Sequence, residues 1–125
     1  RAYPQPTAED LTMIETRKIT PEISISAQPS AKDLALIHTL GFKSIISNRP
    51  DGEAIDQSLY EEMRQAAIYA GMEAAYLPIE ASGPTSEDVD KLADLLKTLP
   101  LPVLAYCETG ARCEALVNAL MAKEA

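Results

Sequence analysis

Alternating strand-like and helix-like segments predict a three-layer α/β domain, a mostly parallel sheet of four to five strands with helices on both faces. Two observations carry this. Short apolar runs of β character alternate with segments whose apolar residues recur at helical spacing, in the order β-α-β-α-β-α-β-α with short connections. The 125 residues, 46% of them hydrophobic, supply one core and are too few for two ordinary domains. In such sheets the crossovers are right-handed and ligands bind outside the carboxyl ends of the strands.

Residues 1–17 carry Pro4 and Pro6, show only a brief apolar pattern at 11–14, and are expected to form an arm or short helix against a domain spanning 18–125. The pattern I-T-P-E-I-S-I-S at 19–26 reads as a half-buried strand, with Pro21 near its start where a missing N–H is tolerated. Ser30 and Asp33 have capping-box spacing, Leu34, Ile37 and Leu40 share a face, and Gly41 follows as a C-terminal cap, which predicts a helix. Residues 42–47, centred on Ile45 and Ile46, form a buried strand ended by the turn cluster Asn48, Arg49, Pro50, Asp51 and Gly52.

A second capping box, Ser58 with Glu61, predicts a helix to Ala70 that packs through Met63, Ala66, Ala67 and Ala70 and is stopped by Gly71. Residues 73–79 make a further strand, and a loop at 80–85 follows it. Thr85 with Asp88 then caps a helix that turns Val89, Leu92, Leu95, Leu96 and Leu99 inward, with Glu87, Asp88 and Asp90 favouring the positive end of its dipole. The last strand covers 101–106, and the last helix, at about 111–121, inserts Leu116, Val117 and Leu120. Three loops, 48–57, 80–85 and 107–112, therefore meet at one sheet edge.

A formal net charge of -8 excludes the clustered Lys and Arg that a phosphate-backbone binder needs, so neither nucleic acid nor an anionic membrane is an expected partner. No run approaches the ~20 apolar residues of a membrane helix. A cytoplasmic protein is expected, or a periplasmic one where a removed signal segment preceded Arg1. Two cysteines, Cys107 and Cys113, are too few for a disulfide scaffold or a four-ligand zinc site, and neither metal nor cofactor is expected. The single histidine, His38, lies inside a helix and away from both cysteines.

The chemistry concentrates in P-V-L-A-Y-C-E-T-G-A-R-C, residues 102–113. A strand runs into a cysteine, a glycine turn and an arginine, and a helix begins at once. That junction aims backbone N–H groups and the positive end of a helix dipole at one spot, which makes an anion site. Cys107 beside Arg112 would be shifted toward thiolate, the nucleophilic form. Arginine is disfavoured at a helix N-terminus unless an anion accompanies it.

The stretches I-T-P-E-I-S-I-S-A-Q-P-S (19–30), G-F-K-S-I-I-S-N-R-P-D-G-E (41–53) and P-V-L-A-Y-C-E-T-G-A-R-C (102–113) resemble the bacterial beta-lactamase-hydrolase-like phosphatase domain. The resemblance covers about residues 18–123 and implies a fold like that of small dual-specificity and tyrosine phosphatases. It implies a cysteine-dependent phosphatase acting on a phosphorylated small molecule or a phosphoprotein through a phosphocysteine. Cys107 would be the nucleophile and Arg112 the bidentate phosphate clamp. The amides of Glu108, Thr109, Gly110, Ala111 and Arg112 would hold the equatorial oxygens, with Gly110 supplying the turn.

Relatives of this fold carry a general acid on the loop after the preceding strand, which here begins with Glu80; Asp51 is the alternative. Arg49 orients substrate or pairs with Asp51 or Glu53. Where most tyrosine phosphatases place five residues between Cys and Arg, this loop has four, a spacing shared with rhodanese sulfurtransferases. A Cys107 persulfide chemistry and an inactive anion- or phosphoprotein-binding module are accordingly the rival readings. Glu108 stands where the family commonly has arginine, and Cys113 where a Ser or Thr usually follows the arginine. Cys113 either packs in the core or forms a disulfide with an oxidised Cys107.

Overall fold

A computed structural model describes residues 15–125. The chain order is β1 (Arg17–Lys18), β2 (Ile23–Ser26), α1 (Leu34–Thr39), β3 (Ser44–Ser47), α2 (Tyr60–Ala70), β4 (Glu73–Tyr76), α3 (Ser86–Thr98), β5 (Val103–Tyr106) and α4 (Ala111–Glu124), with a 3-10 turn at Ala31–Asp33 leading into α1. The sheet order is β1-β2-β5-β3-β4. β5 pairs in parallel with both β2 and β3, and β4 extends the parallel run. The mixed five-stranded sheet agrees with the expected architecture. Its antiparallel member is β1, at Arg17–Lys18, where an arm or short helix was expected; the rest of that expectation, at residues 1–14, lies outside the described residues.

Side chains alternate across the sheet, as a strand's period of two requires. Val103, Ala105 and Cys107 point to the face covered by α3 and α4, with Ile23, Ile25, Ile46, Leu92, Leu116 and Val117. Leu104 and Tyr106 point to the opposite face, where Leu34 and Ile37 of α1 and Met63 and Ala67 of α2 cover them with Ile45. Two helices thus cover each face.

Helix ends explain where the elements start. Thr85 and Asp88 form the expected capping box, with Thr85 Oγ1 accepting from Asp88 N at 3.2 Å and Asp88 Oδ2 from Thr85 N at 2.9 Å. Gly71 ends α2 at φ +94°, a left-handed conformation that suits glycine. The Ser30 box is half made. Ser30 N donates to Asp33 Oδ2 at 2.8 Å, but Asp33 N turns to the Ser30 carbonyl in the 3-10 turn, leaving Ser30 Oγ without a partner.

The expected cap at Ser58 and Glu61 is displaced by one residue. Glu62 accepts from Leu59 N at 3.2 Å, and the Asp51 carboxylate, from the preceding loop, accepts from Tyr60 N at 2.7 Å. A tertiary cap wins over the sequence-local one, and Glu61 pairs with Arg64 instead.

The registers end flush. Ser26, Tyr106, Ser47 and Tyr76 are mutual partners across the parallel strands, so Cys107, Asn48 and Leu77 leave the sheet at the same level. Asn48 laces these exits together. Its N–H donates to Tyr106 O at 2.8 Å, its Nδ2 to Leu77 O at 2.8 Å, and its carbonyl accepts from Ile79 N at 2.9 Å.

Candidate active site

The loop after β5 folds back on its own sulfur. Gly110 N donates to Cys107 Sγ at 3.1 Å, and the N–H groups of Arg112 and Cys113, in the first turn of α4, also face it. These are donors that a helix N-terminus leaves without intrahelical partners, so the sulfur receives several N–H dipoles together with the helix dipole. Cys107 is 1% exposed. A hydrogen bond from the Cys113 side chain, followed by the three backbone N–H groups, outweighs the opposing effect of burial and lowers the Cys107 thiol to about 5. Cys113 moves the other way, held protonated chiefly by the sulfur it donates to and by its own burial.

Glycine is required at 110. Its φ is +94°, and a Cβ there would sit 3.3 Å from the Ser26 carbonyl oxygen. The loop is further tied to the end of β2 by Gln28 N donating to Glu108 O at 3.3 Å. Ala111 N donates to Thr109 Oγ1 at 3.3 Å. The N–H groups of Glu108 and Thr109 donate to no acceptor among the described residues, which leaves both for an oxyanion.

Arg112 is gripped from two loops. Its Nη1 donates to Glu53 Oε2 at 2.7 Å and to the Ile79 carbonyl at 2.9 Å, and its Nη2 to Glu53 Oε1 at 2.8 Å. The Glu53 bonds hold the guanidinium firmly protonated and lower the Glu53 carboxyl from its ordinary value, with Arg49 adding to the effect. Arg49, 92% buried along its side chain, donates from Nε to Glu53 Oε1 at 3.2 Å, and more loosely to Gln28 Oε1 at 3.4 Å and Glu108 Oε2 at 3.5 Å. Of the two carboxylates proposed for Arg49, it takes Glu53 and leaves Asp51. Glu108 extends along Arg49 with its side chain 62% exposed, so its charge is partly paired and solvated.

The two general-acid candidates stand in different surroundings. Asp51 caps α2, as above, and its N–H donates to Tyr76 Oη at 3.0 Å. Tyr76 stacks on Tyr60 with ring centroids 4.8 Å apart. Glu80 is exposed and adjoins Ile79, whose carbonyl binds Arg112. His38 lies elsewhere, its Nδ1 3.2 Å from the Phe42 carbonyl at the end of α1. The sequence pointed to Glu53 only as one partner for Arg49. Its bond to Arg112, 59 residues away in sequence, has no local signature.

A buried, acidified cysteine at a helix N-terminus beside a clamped arginine, on a mostly parallel sheet covered by helices on both faces, defines a phosphatase-like domain of the cysteine type. The chain belongs to the family of the phosphatase-like domain of beta-lactamase hydrolase-like proteins, whose model matches residues 15–123. A beta-lactamase hydrolase-like protein of Agrobacterium fabrum is 32% identical over 95 residues, 76% of this chain and 22% of that protein. The chain thus spans about a fifth of that relative's length. A candidate phosphatase from Neisseria meningitidis superposes with a TM-score of 0.80 at 35% identity, covering 86% of this chain and 77% of that one. The catalytic core of the yeast PP-IP phosphatase Siw14, solved with citrate, shares the fold at 18% identity with a TM-score of 0.67, over 86% of this chain and 64% of that one. The four-residue loop therefore belongs to a phosphatase-like family, which removes the support that its length lent to a sulfurtransferase.

Proposed function

We propose that this domain hydrolyses phosphomonoesters of a small molecule or a protein through a phosphocysteine on Cys107. The observation that carries the reading is the lowered Cys107 thiol, ionised at neutral pH and surrounded by N–H donors with Arg112 beside it. The thiolate attacks phosphorus while the free N–H groups of Glu108 and Thr109 and the Arg112 guanidinium hold the equatorial oxygens, whose charge they stabilise as it redistributes. Glu80 gives its proton to the departing oxygen. Water then attacks the phosphocysteine, Glu80 takes a proton from it, and inorganic phosphate leaves with the thiolate restored. Asp51 keeps its place as the cap of α2.

Hydrolysis of 4-nitrophenyl phosphate by the parent and by the Cys107→Ser and Arg112→Ala variants tests this. Turnover lost in Cys107→Ser and much reduced but measurable in Arg112→Ala, with a phosphorylated Cys107 peptide from the parent after acid quench, is the expected result. Equal turnover by Cys107→Ser would overturn it, and sulfate or phosphate binding without turnover by any variant would leave an anion-binding module in its place.

A further inference from the structure

We propose that Glu53 is a positioning residue, which turns the Nε/Nη2 edge of Arg112 toward Cys107 and the phosphoryl group. This rests on the phosphatase reading above and names a residue that acts on the reaction only through another side chain.

A guanidinium carries five N–H groups in one plane, and it binds a phosphate best through two that lie side by side on one edge. Glu53 takes one N–H from Nη1 and one from Nη2 at 2.7 and 2.8 Å, and the Ile79 carbonyl takes the second from Nη1 at 2.9 Å. Nη1 is thereby used up. What remains is Nε–H and the second Nη2–H, and those two share an edge. Cys107 lies near the same guanidinium, and the edge left over is the one available to a phosphoryl group on its sulfur. The end-on fork is given to the protein and the side-on fork is kept for substrate.

Glu53 is itself held. Arg49 Nε donates to its Oε1 at 3.2 Å, and Glu53 N donates to Gln57 Oε1 at 3.1 Å. Arg49 is thereby the far anchor of a chain, Arg49 to Glu53 to Arg112, that crosses from the loop after β3 to the start of α4. A guanidinium free to rotate about its long side chain would lose the alignment that makes its two donors count together.

The test is a double-mutant cycle on 4-nitrophenyl phosphate, with tungstate binding by calorimetry as a readout independent of turnover. Glu53→Gln keeps the shape and removes the charge. It is expected to lower kcat/KM by about 100-fold, the order that a 1 Å misplacement costs, and to weaken tungstate binding. In an Arg112→Ala background the same change is expected to alter neither kcat/KM nor tungstate affinity further, and Glu53→Asp to recover part of the loss in the parent. Thermal midpoints of all variants separate this from unfolding; should Glu53→Gln not fold, Glu53→Asp carries the cycle. Parent-like activity in Glu53→Gln, or an equal loss with and without Arg112, overturns the inference while leaving a Cys107-dependent phosphatase intact. Should Cys107→Ser match the parent, the phosphatase reading falls, and the tungstate comparison alone decides whether Glu53 acts through Arg112.

Discussion

The Cys113 side chain lies against the sulfur of Cys107, six residues earlier in the chain and across the loop from it, and favours its ionised form. Two buried cysteines therefore have opposite tasks, one kept ionised and one kept protonated. This pairing gives a direct test. Alkylation of Cys107 by iodoacetamide should follow a titration with a midpoint near 5 in the parent. Cys113→Ser should keep the midpoint low, whereas Cys113→Ala should move it upward, since the largest lowering influence is gone. An unmoved midpoint in Cys113→Ala would show that the backbone N–H groups suffice.

The same pair makes stability depend on pH. Cys107 is depressed on folding, from 9.0 to about 5, so its contribution is present above pH 9 and is lost as pH falls through 5. Cys113 is raised, so its contribution is present below pH 9 and is lost as pH climbs beyond it. Between about 5 and 9 the unfolded chain holds one more proton on these thiols than the folded one. Stability from the pair should rise across that window by at most about 1.4 kcal/mol per pH unit, peak near pH 9, and then decline. Denaturation of the parent and of Cys107→Ser at a series of pH values should diverge between about pH 5 and 9 by the Cys107 part of this curve; parallel curves would refute it.

Gly110→Ala should damage both fold and site. The substitution forces an L side chain into φ +94° and puts a methyl 3.3 Å from the Ser26 carbonyl, which backbone cannot readily vacate. A loss of about 1–3 kcal/mol in urea denaturation is expected, with reduced anion affinity because the Gly110 N–H turns away from the sulfur. Unchanged stability would mean that β2 shifts to make room.

The two carboxylates once equal as acid candidates separate by experiment. Glu80→Gln should slow hydrolysis of phenyl phosphate, a poor leaving group, by about 10²–10⁴-fold, and that of 4-nitrophenyl phosphate far less. Asp51→Ala should instead cost about 1 kcal/mol of stability, through loss of the cap at Tyr60, and slow phenyl phosphate hydrolysis less than Glu80→Gln does. The reverse pattern would transfer the proton donor to Asp51.

What could be read in advance follows from the range of the interactions involved. The strands around Ile45, Ile46 and Val103 to Tyr106, the Thr85 cap and the Gly71 stop are written in residues a few positions apart, and they stand in the structure as expected. So does the loop from Cys107 to Arg112, whose glycine and following helix are local. Glu53 on Arg112 is a pairing between segments that only the folded sheet brings together, and Asp51 on Tyr60 closes a nine-residue loop that no short-range spacing marks. Local spacing favoured Ser58 for the cap of α2, and a carboxylate from earlier in the same loop displaced it. The edge strand at Arg17–Lys18 was hidden for the same reason, since two charged residues acquire β structure there only by pairing with β2.

The place of β5 in the sheet order has a dynamic consequence. Its amides and carbonyls are committed on both sides, to β2 and to β3, so they can exchange with solvent only when the whole sheet opens. β1 and β4 are edge strands that can fray without disturbing it. The sulfur is thus carried at the end of the segment whose hydrogen exchange should be slowest among the described residues. Reactivity is anchored beside the most durable part of the sheet.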